Sequence, residues 1–439
     1  MEAMSARKIS ILDIIPILRN SAFVKNVFIV MSGTAVAQII GFALTPIISR
    51  LYSPTDFGVF GSFNAVLAVF AAGVALDYPQ ALMLPKENKD AINLFFVSCL
   101  STVLIASGVL IFAFITPNIF QVIIPSSNGW ILGLLVLAII ILGFNQATHA
   151  WCVRAKKFKQ TAASHLIRSL STNGMQVALG WLRGGPIVLI FSAILGNFLA
   201  SLNLGRVVIS DFKSHWREVN WTRMKQLVNE YRDFPMYSAS MYVLNTLSTG
   251  LPVLLMAHYY GTAIAGFYAF GERVLHAPMS LITGSLRQVL FQRASEINNS
   301  GGRLLPLYIK TTLGLFALSI VPSAIVIGFA PRIFSWVFGA QWQTSGEFSQ
   351  SLILWFAFSF CNLPSVLFAK IIRYQRYIFF WNLALFISRA VILSLGGIYL
   401  TATQTILIFS LLGAFMNFIL IIIIGIAVMK RDCKRLNGS

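Results

Sequence analysis

Three arginines lie deep inside long apolar runs of this 439-residue chain: Arg168, Arg273 and Arg389. A guanidinium carries five donors in a rigid fork that matches phosphate and carboxylate geometry. Beside Arg273 stands Glu272, the one acid near the middle of such a run, with His276 one helical turn further on. Neighbours in a helix point about 100° apart, so Glu272 and Arg273 are not expected to pair directly. Glu272, His276 and Asp77 are the titratable groups able to take part in ion coupling. Arg50, at the end of the first apolar run, reads either as a gate or as an interfacial anchor. His165 lies three residues before Arg168 and shares its helix face.

The elements that hold these groups follow from composition. The chain is 57% hydrophobic and 11% charged, where soluble domains carry about 25% charged residues. Lipid is therefore its solvent. Twelve segments reach the roughly 20 apolar residues needed to cross the hydrocarbon core: 27–49, 58–84, 91–116, 129–152, 161–182, 186–208, 235–258, 262–290, 306–329, 348–369, 378–400 and 402–429. The fold class is an all-α polytopic membrane protein, twelve helices in two six-helix lobes around a central cavity.

Of 33 Lys and Arg, 27 fall in loops and termini on one side, and Arg50, Arg183 and Arg332 fall on the other. This alternation supports twelve crossings and places both termini in the cytoplasm. The net charge of +19 then faces anionic headgroups, and nucleic acid is excluded as a partner. The expected organisation is a surface segment over 1–26, an N-lobe over 27–208, a linker over 209–234, a C-lobe over 235–429 and a tail over 430–439. Within the first segment, the short run Ile9–Leu18 is expected to lie on the membrane surface, with Arg7, Lys8, Arg19 and Lys25 toward headgroups. The linker, with Trp216 and Trp221 among basic residues, reads as an interfacial helix.

The stretch from Thr45 to Ala91 is the most strongly marked. Ser53-Pro54 breaks the first helix, Asp56 is placed to cap the second, and Asp77-Tyr78-Pro79 ends it. The halves echo one another: Phe57-Gly58-Val59-Phe60-Gly61 opens the second segment and Ala265-Gly266-Phe267-Tyr268-Ala269-Phe270-Gly271 opens the eighth. Two like-oriented bundles around one cavity are the architecture of alternating access.

Three arginines facing lipid would cost on the order of 10 kcal/mol. They must pair across helices, snorkel or surround water. Depth favours a cationic cavity for Arg273 and Arg389; Arg168 and Asp77 fit structural pairs equally well. Such a cavity points to a cargo bearing phosphate or another acidic group. No GxxxxGKS or GxxxxGKT phosphate loop and no HExxH is present, and the five histidines are scattered. Neither ATP hydrolysis nor a metal site is expected, and the driving force is the membrane potential or a gradient of H+ or Na+. The four cysteines form no CxxC and read as free thiols.

"SRLYSPTDFGVFGSF" followed by "ALDYPQALMLPKENKDA", and "GFYAFGERVLHAPMSLITGSLRQVLFQRASE" in the eighth segment, resemble the polysaccharide-transporter family of oligosaccharide flippases. That family belongs to the multidrug/oligosaccharidyl-lipid/polysaccharide (MOP) exporter superfamily. The resemblance implies a bacterial inner-membrane transporter, not an enzyme. Its cargo would be an undecaprenyl-diphosphate-linked oligosaccharide for O-antigen, capsule or exopolysaccharide. Membrane lipids, a glycan polymerase and a chain-length regulator would be its partners. Basic cavity residues would hold the cargo, Arg273, Arg389, Arg168 and Arg50 here. Two other functions stand against this one. A multidrug exporter of the same superfamily needs buried carboxylates for its cations. A membrane glycan polymerase or ligase needs acidic or histidine-bearing outer loops, and the outer loops here are short.

Overall fold

The computed structural model describes residues 22–116, 129–182, 184–213 and 218–437. Most of the expected surface segment, including Ile9–Leu18, lies outside the described residues, as do Arg183, His215, Trp216 and Arg217. Every regular element among the described residues is a helix.

In chain order the elements are α1 (Ala22–Leu51), α2 (Pro54–Gly73), the single turn α3 (Tyr78–Ala81), α4 (Asn88–Ile115), α5 (Gly129–Arg154), α6 (Phe158–Gly180) and α7 (Gly185–Phe212). A short helix α8 (Trp221–Glu230) leads to α9 (Ser240–Tyr260), α10 (Thr262–Asn299), α11 (Leu305–Phe338), α12 (Gln343–Cys361), α13 (Leu363–Ile371), α14 (Gln375–Tyr399) and α15 (Ala402–Asn437). A π-helical turn, Phe234–Ala239, opens α9.

Among the described residues, ten helical stretches are long and apolar enough to cross a membrane. The two further crossings are α6 and α10, whose interruptions are Arg168 and His165 in one and Glu272, Arg273 and His276 in the other. Helices too polar for lipid must turn their polar stripe inward. The chain is a multi-pass membrane protein of twelve crossings.

Several expected boundaries move. The second crossing ends at Gly73, four residues before Asp77, because Leu76 and Asp77 turn left-handed at φ 50° and 57°. The tenth is broken at Asn362, where Pro364 restarts the chain as α13. Helices α10, α11 and α15 overrun their apolar segments, since a helix satisfies its own backbone bonds in water as well as in lipid. At the start of α2, Ser53 is the N-cap, not Asp56. Its hydroxyl accepts from the Asp56 amide at 3.2 Å while Asp56 Oδ2 accepts from the Ser53 amide at 2.9 Å, a reciprocal capping box.

Helix neighbours repeat between the halves. In the first, α1 packs on α6, α6 on α7, α7 on α5 and α5 on α4; in the second, α9 packs on α14, α14 on α15, α15 on α12 and α12 on α11. The fourth crossings of both halves also end alike. Lys156 and Arg373 adopt φ 58° and 62°, and the next amide returns five residues back, Lys157 to Cys152 at 2.8 Å and Tyr374 to Ala369 at 2.7 Å.

The halves meet chiefly where α2 crosses α9 and α10. There the echoed glycines face each other. A Cβ on Gly58 would stand 1.8 Å from the Thr262 carbonyl oxygen, and one on Gly266 would stand 1.8 Å from that of Pro54. Only glycine admits this backbone approach, which accounts for the repeated Gly58 and Gly266.

A second junction lies at the Arg50 end. Ser49 Oγ donates to the Phe338 carbonyl at 2.9 Å, and the Ser49 carbonyl accepts from Trp342 Nε1 and Gln341 Nε2, each at 2.7 Å. Tyr52 and Phe57 of one half and Phe270, Phe334, Phe338 and Trp342 of the other form a buried aromatic plug. Phe270 and Trp342 stack at 4.0 Å. At the opposite, basic end the one described hydrogen bond between the halves is Gln80 Nε2 to Tyr242 Oη, 3.1 Å. The molecule is sealed at the Arg50 end and held only loosely at the other.

Helix α8 joins the halves as an amphipathic element. Its Met224 and Leu227 bury against Leu94 and Val97 of α4. Arg223 grips Asp90 with two bonds of 2.8 and 2.6 Å.

Candidate functional site

Between the halves lie two chambers of about 290 and 340 Å3 that share Phe60 and Arg273. The first is walled by α2, α9 and α10, and its polar groups are Asn64, Thr246, Thr249, Glu272 and Arg273. The second is walled by α1, α6, α7 and α10, and is more polar: Gln38, His165, Arg168, Asn173, Gln176, Asn197 and Arg273 line it.

Helix periodicity explains the second chamber. His165, Arg168, Ser169, Thr172, Asn173 and Gln176 follow the i, i+3, i+4, i+7, i+8, i+11 pattern of one helix face, and all six line it. Sequence reasoning picked out Arg168 and His165 because they can carry charge, and missed the uncharged members. The signal that would have found them is this polar stripe in an otherwise apolar crossing.

Arg273 is half-buried and projects where the chambers meet. Arg168 is exposed into the second chamber. Among the described residues neither forms a salt bridge. The four salt bridges, Lys157–Asp211, Arg223–Asp90, Arg293–Glu296 and Arg431–Asp432, all lie in the basic loops and helix ends. Two guanidinium groups and one carboxylate, Glu272, leave the chambers net positive. Gln176 Oε1 and Asn197 Oδ1, both buried in the chamber wall, are acceptors with no donor supplied by the protein. The site thus offers two cationic forks, a set complementary to an anion.

The other sequence candidates lie elsewhere. Arg389 is not in the chamber walls. It is 4% exposed inside the second half, between α9 and α14, with Nη1 3.3 Å from Ser248 Oγ and its guanidinium over Trp355 and Phe409 at 4.8 and 5.5 Å. The sequence expectation placed it in the central cavity, but helix rotation turns it away from the centre. His276 is exposed, lines neither chamber and packs edge-on to Phe356 at 6.4 Å. Asp77 sits in the left-handed turn before α3, also away from the chambers. Arg50 donates from Nη2 to the Trp336 and Val337 carbonyls, each at 3.2 Å. These are the last free carbonyls of α11, where a cation also meets the negative helix end. Arg50 therefore bridges the two halves at the sealed end.

Among the described residues no cluster of histidine, cysteine or acidic groups has metal-ligand geometry. Cys99, Cys152, Cys361 and Cys433 are free.

A family model described as polysaccharide biosynthesis protein matches residues 47–347. No curated protein matches the sequence significantly. Solved structures similar to the chain include lipid II flippase MurJ in an inward closed conformation, with 14% identity over 92% of this chain and 91% of that one, TM-score 0.72. An inward-facing multidrug resistance MATE family transporter of the MOP superfamily matches with 12% identity over 92% of this chain and 99% of that one, TM-score 0.69. An outward-facing transporter of the same MATE family, at 12% identity over 92% and 96%, has TM-score 0.54. The fold is that of the MOP transporters.

Proposed function

The chain belongs to the polysaccharide biosynthesis protein family, and from that premise we propose that it flips a lipid-linked oligosaccharide between membrane leaflets. The cargo is an undecaprenyl-diphosphate-linked oligosaccharide destined for O-antigen, capsule or exopolysaccharide. It moves from the cytoplasmic to the periplasmic leaflet of the bacterial inner membrane by alternating access of lobes 27–208 and 235–429, joined by the linker 209–234. Both termini are cytoplasmic, so the sealed Arg50 end is periplasmic and the conformation faces inward.

The observation that carries this reading is the presence, where the two chambers meet and in the second of them, of two guanidinium groups, Arg273 and Arg168, that form no salt bridge among the described residues. The arginines would take the diphosphate. A structurally similar protein is a lipid II flippase, which agrees with a lipid-linked cargo. Glu272, the one acid lining these chambers, is the proposed coupling group for H+ or Na+. A cation exporter needs an excess of carboxylate in its cavity, and this cavity has the opposite balance.

The test is sidedness of fluorescent undecaprenyl-diphosphate oligosaccharide in proteoliposomes. Wild-type protein moves the label from the leaflet to which it was added. Arg273→Gln should lower the initial rate at least about tenfold, the loss of one charge-assisted bond to phosphate, while Arg273→Lys retains part of it. Equal rates for wild type and Arg273→Gln, in protein of equal melting temperature, would remove the proposal.

A further inference from the structure

Arg389 has a cavity of its own. Between α9 and α14 lies a space of about 50 Å3 whose polar lining is Asn245, Ser248, Asn382 and Arg389. Ser248 and Arg389 are buried at its floor, while Asn245 and Asn382 are exposed at its mouth. By the same measure one water needs about 10–15 Å3, so this space takes a few particles of that size at most, against the 290 and 340 Å3 of the central chambers.

The charge in this cavity is not balanced by contact. Of the five N–H groups of Arg389, the structure engages one, Nη1 to Ser248, and Nε is buried without an acceptor. Glu272 lies within electrostatic range of Arg389 but forms no ion pair with it. Its carboxylate lines the first central chamber beside Arg273. The faces of Trp355 and Phe409 offset only part of the desolvation cost of a guanidinium. Two asparagines at the mouth would be costly against acyl chains, so the mouth opens to water.

The same seam in the first half gives the contrast. Helices α1 and α6 are the counterparts of α9 and α14, and their seam also holds an arginine, Arg168, but there it widens to the 340 Å3 chamber that reaches Arg273. In the second half it stays narrowed to the 50 Å3 space.

We infer that the α9–α14 seam is a binding site for one small monovalent anion of the halide class, held by Arg389 with Ser248 and the amides of Asn245 and Asn382. The anion supplies the charge that Glu272 does not, and it is separate from the cargo of the central chambers. The site stands whether or not the chain is a flippase.

The experiment uses purified full-length protein in detergent, with no glycolipid, and reads its melting temperature. Chloride or bromide is titrated against gluconate at constant ionic strength. The expected result is a saturable rise of several degrees with either halide, as for any ligand that binds only the folded state. Arg389→Gln should abolish the rise. Asn382→Leu, at the exposed mouth, should shift the half-saturating chloride concentration upward about tenfold by removing one hydrogen bond to a charged species. Arg273→Gln should leave the titration unchanged. Bromide-derived anomalous density beside Arg389 would be the direct observation, and it keeps the test open if Arg389→Gln fails to fold. Equal melting in chloride and gluconate would overturn the inference. So would a rise that survives Arg389→Gln, or one that disappears in Arg273→Gln and so belongs to the central chambers.

Discussion

Replacing Trp342 by phenylalanine isolates one bond of the sealed end. Trp342 is fully buried, stacks on Phe270 at 4.0 Å, meets the edge of Phe57 at 5.1 Å and donates Nε1 to the Ser49 carbonyl at 2.7 Å. Phenylalanine keeps one ring against Phe270 and Phe57, gives up the volume of the second and deletes the donor. The Ser49 carbonyl is still served by Gln341 Nε2 at 2.7 Å, so nothing buried is left unsatisfied and the lost bond itself costs about 1 kcal/mol. That shifts the ratio of sealed to open molecules about fivefold. Adding Gln341→Leu strips the second donor. The carbonyl then pays its desolvation penalty, roughly 1–3 kcal/mol more, and the combined shift is on the order of 100-fold. Because both donors share one acceptor, the double variant should exceed the sum of the two single ones. The assay is the distance between spin labels at Trp181 and Tyr399, exposed residues at the sealed end of opposite halves, by double electron–electron resonance in a cysteine-replaced background. A long-distance population should be slight in Trp342→Phe and dominant in the double variant. Identical distance distributions in all variants, or a single variant that opens as far as the double, would refute the account of how this end is held.

Gly58→Ala should destabilise the junction of the halves by about 1–3 kcal/mol, since its Cβ would need about 1.5 Å of added separation from the Thr262 backbone. Gly205→Ala, where a Cβ meets nothing within 4 Å, should instead raise the melting temperature slightly. Arg50→Gln removes both bonds to the end of α11. It should increase the open population about threefold to tenfold in the same resonance measurement without lowering the melting temperature by more than a few degrees. Asp90→Asn weakens the grip of Arg223 on α4. Because that pair is exposed to solvent screening, the expected loss of stability is small. Hydrogen exchange should nonetheless quicken in α8, and unchanged exchange there would show that Met224 and Leu227 alone hold the linker.

Much of this protein is written along its chain. Twelve crossings follow from runs of apolar residues broken by basic loops, because lipid and water sort side chains one helix at a time and need no knowledge of neighbours. The depth of Arg273 follows likewise from a rise of 1.5 Å per residue. The echo of Gly58 in Gly266 is also visible along the chain, whereas their facing one another is decided by the packing of the halves. What a single helix cannot specify is its rotation about its own axis within the bundle. That rotation set Arg273 at the meeting of two chambers and turned Arg389, at similar depth, into a closed seam among Trp355, Phe409 and Ser248. It separated His276 from Glu272's chamber although one turn joins them in sequence. It also brought Gln176 and Asn197, unmarked as isolated amides, into the wall of the same chamber as Arg168. Polarity along the chain determines which residues must avoid lipid; only the packing of one helix against another decides which of them share a cavity, because that choice is made by steric fit between faces far apart in sequence.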